Sequence, residues 1–62
     1  MFDVVAVDME TNVVRLIAEN KTDKNAQAII AFALMKRGGE TEFFADVPHG
    51  KYKGGETWQV DE

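Results

Sequence analysis

Apolar and polar positions divide the chain into four strand-like stretches and one helical stretch, joined by turns and loops. Residues 2–7, FDVVAV, form a short run rich in β-branched side chains and bounded by acids, which predicts a strand. Residues 8–12, DMETN, carry Asp and Asn at their ends, both good turn formers. Residues 13–19, VVRLIAE, alternate and predict a second strand, with Val14, Leu16 and Ala18 on one face and Val13, Arg15, Ile17 and Glu19 on the other. The short connection makes the two strands an antiparallel hairpin. Residues 41–47, TEFFADV, alternate Phe43, Ala45 and Val47 against Glu42, Phe44 and Asp46, which is the pattern of a half-buried strand ended by Pro48. Residues 49–55 form a loop with three Gly. Residues 56–60, ETWQV, read as a last short strand with Trp58 and Val60 on one face.

Between these strands lies residues 22–39, TDKNAQAIIAFALMKRGG, the one stretch with a full set of helix signals. Thr22 or Asp23 supplies an N-cap oxygen, Asp23 complements the positive end of the helix dipole, and Lys36 and Arg37 complement the other end. Alanines fill the interior, and Gly38 or Gly39 provides the left-handed residue that stops a helix. The element order is β-β-α-β-β. The expected fold is α+β: an antiparallel sheet in order 2-1-3-4 with one helix packed on one face. Leu16, Phe43 and Trp58 are the expected sheet side of the core. Ile29, Phe32 and Ala33 are its expected helix side.

The helix is too apolar for that arrangement. Between Ala26 and Met35 the only polar side chain is Gln27. A helix on one sheet needs an apolar stripe, not an apolar cylinder. Ala26, Ile29, Phe32 and Ala33 cluster on one side, and Ile30 and Leu34 lie on a flank. Ala28, Ala31 and Met35 line the far side. Small residues let a partner approach closely and Met adapts to irregular surfaces, so this side is a candidate contact surface for a protein partner or a second copy in a homodimer. The bland alternative is that an Ala-rich face simply tolerates water. Phe44, on the strand face of Glu42 and Asp46, is a second candidate apolar anchor.

Composition narrows the chemistry. A chain of 62 residues forms one domain and buries only about 60% of its unfolded surface. Hydrophobic content of 45% with 29% charged residues is that of a folded domain. With no Cys, neither disulfides, thiolate metal sites nor Cys nucleophiles exist, and with no Ser the remaining hydroxyl nucleophiles are four Thr in no activating context. His49 is the one candidate base, beside Pro48 and Gly50 in a loop. Neither Asp46 with His49 nor Asp8 with Glu10 has the spacing of a zinc or EF-hand site. No enzyme activity, no metal and no cofactor is therefore expected. The longest apolar run, residues 28–35, has 8 residues and falls far short of the ~20 that cross a bilayer. The N-terminal run has no basic segment of the signal-peptide kind, so the expected location is the cytoplasm.

Net charge is −4, the reverse of a nucleic-acid-binding balance. The exception is local. His49, Lys51, Tyr52 and Lys53 interleave cations with an aromatic ring, a pattern that suits single-stranded nucleic acid and equally suits an acidic protein surface. The segment GKYKGGET is not a phosphate loop, because Gly54 and Gly55 precede a strand and no Gly-Lys-Ser/Thr opens a helix. Protein contact through Ala28, Ala31, Met35, Phe44, Lys51, Tyr52 and Lys53 is the favoured reading, and nucleic-acid binding through His49, Lys51, Tyr52 and Lys53 is the alternative.

Residues 19–58 carry AENKT before the helix (beginning one residue earlier), MKRG after it, EFF in the third strand and GKYK-GG-W at the end. In these features the chain resembles short phage-borne proteins of unknown function. The resemblance implies a small accessory protein that acts inside an infected cell by binding a host or phage protein. It transfers no functional residues.

Overall fold

The computed structural model describes residues 1–37 and 41–59. The helix stop at Gly38 and Gly39, Val60 and the acidic tail lie outside them. The elements run β1 (Phe2–Asp8), β2 (Val14–Lys21), α1 (Asp23–Arg37) and β3 (Glu42–Pro48). The strands form one antiparallel sheet in the order β2-β1-β3. β1 is the centre because it is the most apolar strand: Val4, Val5, Ala6 and Val7 are fully buried. A strand buried on both faces reads as a continuous apolar run, not as an alternation. With β1 between them, β2 and β3 run parallel, and α1 makes the crossover that a parallel pair requires.

Local chemistry sets the connections. Asp8 Oδ1 accepts hydrogen bonds from the N–H groups of Glu10 (2.8 Å) and Thr11 (3.2 Å), and Asn12 takes a left-handed φ of 60°. That is an Asx-type turn, the expected role of Asp and Asn here. Thr22 caps α1: its Oγ1 accepts from Asn25 N–H at 3.2 Å and its carbonyl from Ala26 N–H at 2.8 Å.

β2 departs from simple alternation. Val5 pairs with Leu16 and Val4 with Ala18, which leaves Ile17 as an extra residue. A second shift lies between Phe2 and Val4, beside Asn20 at φ 56°. Each shift is a bulge that lets one strand carry an added residue. The first moves Ala18 onto the face of Val4, so Ala18 no longer shares a face with Val14 and Leu16.

The sheet is covered on both faces, and this corrects the expected core. On one face Val5 and Val7 pack with Val14, Val47 and Tyr52, with Leu16, Phe43, Ala45 and Trp58 around them. The cover here is the segment after β3. On the other face lie Val4 and Ala6, in register with Asp46 and Phe44, and α1 covers them. Gln27 Nε2 of the helix donates to Asp46 Oδ2 at 3.2 Å, and Ala26 is fully buried. Leu16, Phe43 and Trp58 therefore belong to the face away from the helix. Phe32 is not a core residue either; it is 59% exposed. The helix seats itself through Ala26, Ile29, Ile30 and Ala33.

The expected fourth strand is not seen. Among the described residues the chain after β3 makes one isolated bridge, Thr57 to Val13. It lies beside the start of β2, not beside β3. Val14 N–H donates to Glu56 C=O, Gly55 N–H to Val14 C=O and Trp58 N–H to Asn12 C=O. Three residues of loop beyond Pro48 already carry the chain under the sheet, so the segment reaches the opposite edge.

Candidate interaction surface

α1 has an inner and an outer face. The inner stripe is Ala26, Ile29, Ile30 and Ala33. Ala28, Ala31, Phe32 and Met35 follow i, i+3, i+4, i+7 spacing, which places them on one line along the helix. All four are exposed, and Met35 reaches 85%. Ala28, Ala31 and Met35 thus stand where the sequence put them, and Phe32 joins them. The signal for Phe32 was available: it lies four residues after Ala28 and three before Met35. Its spacing of three from Ile29 equally fits the inner side, so helical position alone left Phe32 between the two faces. Leu34, 45% exposed, lies on the flank of Gln27.

The stripe carries cations at both ends, Lys24 in the first turn and Lys36 in the last. Lys36 Nζ sits 5.1 Å from the centroid of the Phe32 ring. That cation–π contact holds the ring against the helix surface while one side of it stays in water. Phe44 does not provide a second exposed anchor. It is half-buried on the helix-covered face, in register with Ala6.

The loop after β3 is a structural lid. Pro48 ends the strand, Lys51 N–H donates to Pro48 C=O at 3.0 Å, and Gly50 turns the chain at φ 83°. A side chain at that φ is strained, which is why Gly stands there. The turn sends Tyr52 inward, where it is 5% exposed. Its ring stacks on Trp58 (centroids 5.2 Å apart, planes at 18°), and Trp58 meets Phe43 edge-on at 5.3 Å. The Tyr52 hydroxyl accepts from Gln59 N–H at 3.1 Å. Tyr52 is thus a core residue, and neither a partner anchor nor a base-stacking platform. Lys51 and Lys53 remain exposed, with Lys51 Nζ 5.8 Å from the Tyr52 centroid and the Lys53 N–H bonded to Glu56.

His49 is also held. Its Nδ1 lies 2.7 Å from Oδ1 of Asp3, and its N–H donates to Met1 C=O. Asp3 is 1% exposed, a role the sequence did not reveal. Its carboxylate accepts from Asn20 N–H (2.8 Å) and Gly50 N–H (2.9 Å) besides His49. Burial alone raises a carboxyl pKa. Here the bonds from His49, Gly50 and Asn20 and the nearby imidazole charge outweigh it and bring Asp3 down to about 2. Asp3 thereby ties together the N-terminal strand, the β2 bulge at Asn20 and the turn that starts the lid.

Among the described residues no three His, Asp or Glu side chains come together to hold a metal ion, and no helix is long and apolar enough to cross a membrane. Comparison of the chain with protein families, with curated proteins and with solved structures finds no match.

Proposed function

We propose that this chain is a small protein-binding module and that the outer stripe of α1 makes the contact. The observation that carries the reading is the line of Ala28, Ala31, Phe32 and Met35 on the side of the helix opposite the sheet. Aromatic and Met side chains are enriched at protein interfaces, and the two alanines before them on the same line let a second surface come near the helix axis. A second copy of the chain is one such surface, and a host or phage protein is the one the family resemblance implies. The cytoplasm remains the setting the reading expects. The nucleic-acid alternative has less to stand on, since Tyr52 offers no open ring face.

The test compares two baits, the natural chain and a variant with Phe32→Glu and Met35→Lys. Both positions face water, so the variant keeps its circular dichroism spectrum. A protein captured by the natural chain and lost with the variant supports the reading, as does self-association by sedimentation that the variant abolishes. Identical capture by the two baits, or a monomer that captures nothing, contradicts it.

A further inference from the structure

The outer side of α1 has a shape as well as a composition. Ala28 and Ala31 form a low floor, Phe32 stands on one side of them and Leu34 on the other, and Met35 lies at the far end. A shallow groove between larger side chains is a seat for a single helix that brings its own apolar residues at i, i+3, i+4 and i+7. The exposed parts of Phe32, Leu34 and Met35 amount to on the order of 400 Å². That area suits one amphipathic helix and falls short of the roughly 800 Å² per side of a standard stable interface.

The uncompensated charges beside the groove have one sign. Lys24 in the first turn and Lys36 in the last are both exposed, about 18 Å apart along the helix axis. Neither has a carboxylate partner among the described residues. Lys36 lies 5.1 Å from the centroid of the Phe32 ring, a contact that leaves its charge unneutralised. Asp23 opens the helix, and Asp46 accepts its bond from Gln27 on the Leu34 flank; neither pairs with either lysine. In a chain of net charge −4, this face is a local exception that an acidic partner complements.

A second copy would bring the same lysines. Two α1 helices in full antiparallel overlap set Lys24 against the second copy's Lys36, twice over. Full parallel overlap sets each lysine against its own counterpart. Like charges brought together across an interface work against that pairing. An anionic membrane surface would gain from two cations only, each worth about 1 kcal/mol, against the repulsion of an acidic chain.

We propose that the groove along Ala28 and Ala31 receives an acidic amphipathic helix of another protein. Its apolar stripe lies on Ala28, Ala31, Phe32 and Met35, and an Asp or Glu near each of its ends meets Lys24 and Lys36. This inference rests on the reading of the outer stripe as the contact surface and adds the chemistry of the partner. The apolar stripe provides most of the affinity, and the two lysines select an acidic helix over a basic one and over a second copy.

The experiment titrates the 15N-labelled full chain with a capped amphipathic helical peptide of about 16 residues, a Leu stripe with Glu in its first and last turns, and with its counterpart carrying Lys for every Glu. The Glu peptide shifts the amide resonances of Ala28, Ala31, Phe32 and Met35 and binds about fivefold more tightly than the Lys peptide at low salt, a preference that fades at high salt. In the double variant Lys24→Glu and Lys36→Glu, checked for an unchanged spectrum elsewhere, the preference reverses. Equal affinity of the two peptides for the stripe would overturn the proposal and leave the stripe a contact surface. So would concentration-dependent shifts at the same amides without peptide, which would mark a second copy as the occupant. Binding of neither peptide, or shifts at Lys51 and Lys53 instead, would overturn it too, while capture by the natural chain against the Phe32→Glu and Met35→Lys variant would still decide the broader reading. Shifts at the stripe with phosphatidylglycerol vesicles and with neither peptide would overturn both.

Discussion

The two faces of the sheet are closed by different means. Under one face the segment after β3 brings Tyr52 and Trp58, and these rings meet Phe43 and the valines of β1. Over the other, α1 lies on Val4 and Ala6 with Ala26, Ile29, Ile30 and Ala33, while Phe32, Leu34 and Met35 face water. On the first face the large side chains build the core. On the second, small and branched ones do so beside a half-buried Phe44, and the largest side chains of the helix are left outside. The aromatic lid holds the fold, while the outer helix face, exposed to water, is the side on which the proposed contact is made.

The largest effect is expected where the lid is cut. Tyr52→Ala removes a buried ring and costs about 3–5 kcal/mol, a large part of the stability of a domain this small. Urea denaturation should show the variant largely unfolded without denaturant. A loss below about 1 kcal/mol would mean that the lid adds little and that the contrast between the faces is misplaced.

Acid should loosen the lid's anchor next. The Asp3 carboxyl lies at about 2 against an ordinary value of 3.8. A lowered pKa stabilises the fold above the unfolded value and loses that contribution as pH falls through the folded one. Stability should therefore hold above about pH 4 and decline towards pH 2, by on the order of 2 kcal/mol. Asp3→Asn should remove most of this decline, because its amide does not titrate, and should start from a lower stability, because the amide brings a donor where Asn20 and Gly50 already donate. Equal acid sensitivity in the natural chain and Asp3→Asn would show that Asp3 does not fasten the lid.

The smallest effect sharpens the comparison from the other side. Met35→Lys should change stability by no more than about 0.5 kcal/mol, since its side chain stands in water. A larger loss in thermal melting would show that the outer face serves the fold after all.

Much of this architecture could be read from the sequence. The Val4–Val7 run, the Asp8–Asn12 turn and the Thr22 cap act over a few residues, and neighbours alone decide them. The preferred order 2-1-3-4 placed β1 between β2 and β3, as the three-stranded sheet has it, but its fourth strand is not seen among the described residues. Other features depend on contacts far along the chain. The direction taken after Pro48 turns on Gly50 and on a carboxylate 47 residues away in sequence. Tyr52 between two lysines reads as a solvent-facing tip until that turn sends it inward. Residues 56–60 have the composition of a strand, but Glu56 C=O and Trp58 N–H bond to Val14 and Asn12 at the far edge. On the helix the outer stripe was legible in Ala28, Ala31 and Met35, while Phe32 was grouped with Ala26, Ile29 and Ala33, because it lies three residues after Ile29 as well as four after Ala28.

Whether the outer face of α1 is a contact surface can be asked directly with a photoreactive amino acid placed at position 35, and at position 53 on the lid as a control, in the chain expressed in cells. Both sites are exposed. Illumination should join position 35 to a protein, either a second copy or another chain, and leave position 53 without that adduct. No adduct at position 35, or the same adduct at both positions, would contradict the account.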